Sequence, residues 1–201
     1  MRSKLPLKWS LVILGVAGIL FFEAIIFFES GSRENPVSPA GNPVPQSLQQ
    51  AKARLPTRLV IPKINIDAAI EDVGLTPQGA MAVPAGPADV AWFDLGPRPG
   101  EDGSAVIAGH EGWKDGIAAV FDDLGKLRIG DKVYVEDEQN ATTTFVVREI
   151  RTYDQYADAS SVFDSSDGKA HLNLITCEGV WNAAQKSYSG RIVIFSDKAG
   201  E

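Results

Sequence analysis

Only one of the 201 residues is a cysteine, and only two are histidines. A single cysteine excludes an internal disulfide, and with two histidines it makes no ligand set of zinc spacing. The sequence therefore predicts no metal and no cofactor. Basic residues are also few: 19 Lys and Arg stand against 26 Asp and Glu, a net charge of −7. That balance argues against nucleic acid as a partner, because a phosphate backbone is bound by clustered positive charge. Long apolar runs are missing from everything after residue 28, and there is no internal repeat.

What is present begins with the one exception. Trp9 to Phe28 is twenty residues, nearly all apolar, with Glu23 as its only charge. At about 1.5 Å per residue it spans roughly 30 Å, the thickness of a bilayer core. Arg2, Lys4 and Lys8 precede it, and no Lys or Arg follows until Arg33. The asymmetry predicts a single-pass anchor over 9–28, with residues 1–8 cytoplasmic and the rest outside the cell membrane. A cleaved signal peptide fits less well, because Phe27-Phe28-Glu29-Ser30 is a poor cleavage site. Residues 29–56 read as an extracellular linker. Ser30 to Pro45 carries four prolines and little to bury, and Gln46 to Arg54 is a candidate short helix.

Residues 57–201 read as one mainly β domain. The expected strands are Arg58–Ile61, Ile64–Val73, Gly79–Val83, Ser104–His110, Asp131–Glu136, Thr142–Arg151, His171–Cys177 and Arg191–Phe195. Each is a short β-branched or alternating run bounded by turn residues. Pro87–Phe93 reads as a turn of helix. Ile117, Val120, Phe121 and Leu124 have helical spacing, and Tyr153 to Ala170 reads as a long polar loop. About eight short strands with few helices predict a closed or nearly closed barrel, since closure removes exposed edges.

The chemistry-bearing residues lie at strand ends. Cys177 closes an apolar strand, and Arg191 opens the next one fourteen residues later. Adjacent strands would set a thiol beside a fixed positive charge, a plausible nucleophile site. His171 shares the Cys177 strand and face, but six residues at about 3.3 Å each hold it roughly 20 Å away. It reads as a solvated residue at a strand start. His110 is the better partner: it ends an apolar strand, Gly109 before it allows close backbone approach, and a loop follows. Arg191 can stabilise an oxyanion during acyl transfer. Each has a plainer reading: a surface histidine, a surface ion pair, a buried inert thiol. Trp113 and Trp181 flank the two motifs and divide evenly between groove lining and core.

Leu174-Ile175-Thr176-Cys177 resembles the Leu-x-Thr-Cys signature of sortases, the membrane-anchored cysteine transpeptidases of bacterial surfaces. Ala108-Gly109-His110 resembles the segment carrying their histidine, and Arg191 their arginine, in the same chain order. The resemblance covers roughly Thr57 to Phe195. It implies an eight-stranded sortase-type β-barrel with short helices. It also implies catalytic His110, Cys177 and Arg191, with Ala108, Gly109, Trp113, Thr176 and Trp181 as substrate-binding candidates. The implied reaction is cleavage of a Leu-Pro-x-Thr-Gly-like sorting motif through a thioacyl intermediate. The implied partners are surface proteins carrying that motif and an amine acceptor such as a peptidoglycan precursor or a pilin. The absence of a convincing N-terminal lid makes the chain resemble the smaller classes, D, E or F. The calcium site of some relatives is not carried over: Asp154, Asp158, Asp164 and Asp167 read as a solvated acidic loop, and the same loop is the expected wall for the Leu-Pro part of a peptide. Glu178-Gly179-Val180-Trp181 matches no family pattern. Two other readings stand beside this one. An L,D-transpeptidase-like thiol enzyme is disfavoured by Thr176 preceding the cysteine. A non-enzymatic surface β-domain would leave Cys177 merely buried.

Overall fold

Among the strand-forming runs, the apolar residues recur at every second position and turn to one common interior. The computed structural model describes residues 54–184 and 187–200. The expected anchor, the proline-rich linker and the candidate helix up to residue 53 lie outside the described residues. Among the described residues, no helix is long and apolar enough to cross a membrane.

Eight strands form the barrel: β1 (Pro56–Ile61), β2 (Ile66–Val73), β3 (Val90–Phe93), β4 (Gly103–Ala108), β5 (Lys132–Asp137), β6 (Thr142–Asp154), β7 (Ala170–Asn182) and β8 (Ser187–Lys198). The order around it is β1-β2-β3-β4-β7-β8-β6-β5, and β5 closes on β1. Two neighbour pairs are parallel, β2–β3 and β4–β7. The interior is filled by alternate residues such as Leu59, Ile107, Phe145, Leu172, Leu174 and Ile194, all shut off from solvent. A second apolar cluster lies on the opposite face of the sheet. Val106 from β4, Val193 and Phe195 from β8 and Tyr153 from β6 pack there against Val162 of a one-turn helix, α1 (Ser160–Phe163). β4 and β8 are therefore apolar on both faces over Ala105–Ala108 and Ile192–Phe195, which explains the nearly unbroken hydrophobic character of those runs.

The expected fold class holds in the described residues, and four local expectations are corrected. The third strand is Val90–Phe93, where a helical turn was expected, and Gly79–Val83 contributes only an isolated bridge, Leu75 to Met81. Trp92 and Ala91 are buried between β2 and β4, so tertiary pairing overrides the local pattern. Ile117 to Leu124 is not a helix. The Val120 and Phe121 amides, which a helix would need, donate instead to the carbonyls of Pro87 and His110, and Ile117 is left 52% exposed. The polar stretch after Tyr153 contains α1, held by Val162 in the second cluster. The fourth concerns the segment between the last two strands. The ladder continues past Cys177 to pair Trp181 with Tyr188 and Asn182 with Ser187. It does so across an irregularity at Gly179, whose φ is +90°. A Cβ there would lie 2.3 Å from the Ser189 hydroxyl oxygen, so the bulge requires glycine.

Candidate active site

Alternation along β7 sends Leu172, Leu174 and Thr176 inward and His171, Asn173, Ile175 and Cys177 to the other face. Cys177 pairs with Arg191 across the β7–β8 ladder, and Arg191 has the outward parity of Val193 and Phe195. The parallel β4–β7 register supplies the histidine. Ala108 is level with Ile175, so two residues further along each chain bring His110 level with Cys177. The Gly109 amide extends the ladder by donating to Ile175 O at 3.1 Å. The Thr176 hydroxyl donates to Gly109 O at 2.8 Å. Thr176 thus ties the histidine segment to the cysteine strand. Gly109 has a steric reason as well: a Cβ there would lie 2.5 Å from the Phe121 ring.

Two cavities meet at this point, and their linings have three residues in common: His110, Cys177 and Arg191. The first, about 560 Å³, is mainly apolar, with Leu75, Met81, Val83, Phe93, Phe163 and Ile175 among its walls. The second, about 670 Å³, lies between the loop after His110 and the β7–β8 hairpin, and includes Glu111, Trp113, Trp181 and Tyr188. The expected substrate-binding residues divide between them. Ala108, Gly109 and Thr176 line the first, Trp113 and Trp181 the second. Thr176 and Ala108 are buried, so their contribution is mostly to position the strands.

The three shared residues are held in different ways. His110 Nε2 lies 2.9 Å from Pro84 O. A carbonyl only accepts, so this contact places a hydrogen on Nε2 and, in a neutral ring, leaves Nδ1 basic. The Trp113 ring packs edge-on against the imidazole at 4.7 Å. Arg191 Nη1 donates to Gly190 O at 2.7 Å and to Tyr188 O at 3.4 Å. Its other guanidinium donors have no partner among the described residues. Burial pushes the Cys177 thiol above its ordinary range; Arg191 opposes the shift and Glu111 adds to it. Forming the thiolate here is therefore helped by a base.

Residues 59–199 match the family model of the sortase domain. The chain belongs to the sortase family. It is a cysteine transpeptidase, and Cys177 is its one cysteine. The structure resembles that of sortase C-1 from Actinomyces oris, at 23% identity over 72% of this chain and 74% of that one, with a TM-score of 0.54. It also resembles sortase C1 from Streptococcus agalactiae, at 22% identity over 72% and 67%, TM-score 0.56. A lid mutant of sortase A from Corynebacterium diphtheriae matches at 21% identity over 77% and 75%, TM-score 0.57. At these identities the likeness is one of fold. Among curated protein sequences none matches.

Sequence reasoning missed two parts of this sortase site and the surroundings of His171. Of the wall from Leu75 to Val83, the part Gly79–Val83 reads as a strand, since Met81 and Val83 alternate. Glu111 and Tyr188 carry no local signal beyond their nearness in sequence to His110 and Arg191. His171 was expected to be solvated and is instead only 4% exposed. Its Nδ1 lies 2.7 Å from Asp197 Oδ1 and its Nε2 3.0 Å from Asp167 Oδ1. The physical reason is the strand pairing, which sets His171 opposite Asp197 on β8. Among the described residues, no group of three or more His, Cys, Asp or Glu could hold a metal ion.

Proposed function

We propose that this sortase cleaves a Leu-Pro-x-Thr-Gly-like sorting motif at the Thr–Gly bond and transfers the acyl part to an amine at the cell surface. The observation that carries the reading is the junction of two cavities at His110, Cys177 and Arg191. A two-step acyl transfer needs a nucleophile that both substrates reach. The apolar cavity suits the Leu-Pro part of the donor, with Gln155 and Phe163 of the segment after β6 forming part of its wall. The second cavity suits the acceptor.

Cys177 Sγ attacks the threonine carbonyl carbon as its proton passes to His110. Collapse breaks the C–N bond, and His110 hands the proton to the departing glycine amine. The incoming amine then attacks the thioester carbon, its proton goes to His110, the C–S bond breaks, and the thiol is restored. Arg191 lies across the ladder from the nucleophile, where its free donors would face the oxyanion formed in both steps. The anchor over 9–28 would hold this domain at the outer face of the cell membrane, where surface proteins and a peptidoglycan precursor or pilin amine are at hand. The fit to the smaller classes D, E or F belongs to the same proposal.

The test uses the full-length protein in mild detergent, a sorting-motif peptide and an amine acceptor. The expected result is cleavage and amine-dependent ligation, with a thioacyl adduct on Cys177 seen by mass spectrometry. Turnover that survives in Cys177→Ala would overturn the mechanism.

A further inference from the structure

The second cavity holds a carboxyl that has no part in the proton transfers between Cys177 and His110. Glu111 follows His110 directly and lines that cavity together with Trp113, Trp181 and Tyr188. Its Oε2 is buried and accepts no hydrogen bond. A buried acceptor without a donor carries a desolvation cost that a suitable donor would relieve. The loop bearing it is braced: Asp122 accepts from the Gly112 amide at 2.6 Å and from the Ala119 amide at 3.0 Å. Asp122 and Glu178 add negative charge around the carboxyl, which burial already favours in its protonated form.

Among the described residues, no cation of the cavity is paired with this carboxyl. Arg191 places Nη1 on the Tyr188 and Gly190 carbonyls, and its remaining donors do not reach Glu111 Oε2. Lys114 Nζ stands 6.0 Å from the centre of the Trp113 ring. What is missing is a small cationic donor that can pass along aromatic walls, which themselves attract cations. An acceptor amine is such a group. Near neutral pH an alkyl amine arrives as an ammonium and must lose a proton before it can attack.

We infer that Glu111 binds the ammonium of the acceptor in the second cavity and takes up its first proton, which makes it the residue that selects alkyl-ammonium acceptors in this sortase. The inference rests on the proposed acceptor role of that cavity. The balance is simple. The ammonium gives one proton to the Glu111 carboxylate. The neutral amine attacks the thioester, its second proton leaves through His110 to the thiolate, and Glu111 returns its proton to water after the amide product departs.

The experiment compares full-length wild type with Glu111→Gln, using a sorting-motif peptide as donor and two acceptors. One acceptor is the side chain of Nα-acetyl-lysine amide, which arrives charged. The other is hydroxylamine, which is neutral at the same pH. The expected result is at least a tenfold greater loss in kcat/KM for the lysine amine than for hydroxylamine, with KM for the lysine amine raised. Glu111→Asp should recover part of the difference. Equal losses for the two acceptors, or an undiminished lysine reaction, would overturn the role of Glu111 while leaving the sortase reaction intact. Failure of the wild type to form any thioacyl enzyme would overturn the donor reading, and this inference with it.

Discussion

The two ends of one strand face make the instructive comparison. His171 and Cys177 lie six residues apart on the same side of β7. At the first end the histidine is satisfied: both imidazole nitrogens face carboxylate oxygens, and Arg148 Nε pairs with the same Asp197 at 2.8 Å. At the second end donors and acceptors are left over. Arg191 keeps unpartnered N–H groups among the described residues, Glu111 Oε2 has no donor, and the thiol is raised by burial. A satisfied cluster stiffens the barrel, whereas an unsatisfied one waits for substrate.

The largest expected effects break the reactive end. His110→Ala and Arg191→Ala should each lower kcat/KM for ligation by about 100-fold or more, because each removes a group acting only as charge develops. Circular dichroism and thermal unfolding should stay close to wild type. A loss under tenfold in either would take that residue out of the site.

Next comes the join between β4 and β7. Gly109→Ala drives a methyl into the Phe121 ring, and should cost about 1–3 kcal/mol of unfolding free energy, as overpacking does. Chemical denaturation reads the loss directly. Activity should fall with it, since His110 follows in the chain.

The satisfied end should behave in the opposite way. His171→Ala should lower stability by about 2 kcal/mol, through a small cavity and the loss of its contacts to two carboxylates. Its kcat/KM, measured well below the melting temperature, should stay within about threefold of wild type. A loss comparable to that of His110→Ala would show that the two ends are not independent.

Acid sharpens the same contrast. His171 is the main reason that the Asp167 carboxyl is held down to about 2. A depressed carboxyl contributes stability that is full above its ordinary value, near 3.8, and is lost as pH falls toward about 2. The stability difference between wild type and Asp167→Asn should therefore be constant from pH 7 to about 5 and vanish near pH 2.

The smallest effect is at the thiol. Its raised value displaces thiolate formation to higher pH, so iodoacetamide should label Cys177 more slowly than a free cysteine at the same pH. Arg191→Ala should slow labelling further, and Glu111→Gln should speed it, each by a factor of about two or three. A shift in the other direction for either would reverse the sign of its field at Cys177.

Much of the candidate site, the three residues that the two cavities share, was legible in the sequence because its signals are local. A β-branched run ending in the one cysteine, a glycine before a strand-end histidine and an arginine opening the last strand each need only a few residues to be read. The period of two also placed His171 and Cys177 on one face, as the structure has them. The Leu75–Val83 wall was not legible, because alternating Met81 and Val83 look like a strand until another segment takes the place beside β2 and β4. Nor was the burial of His171, whose partners come from another strand and from the segment before its own.

The chain by itself determined seven of the eight strands and the order His110, Cys177, Arg191, since these follow from backbone period and side-chain type. Only the tertiary structure decided that the three residues meet. That depends on the parallel register of β4 on β7, which joins segments 67 residues apart and is held by Gly109, Thr176 and Phe121. It also decided which end of β7 is satisfied and which is open. Local sequence sets where a strand forms, but barrel closure sets what stands beside it.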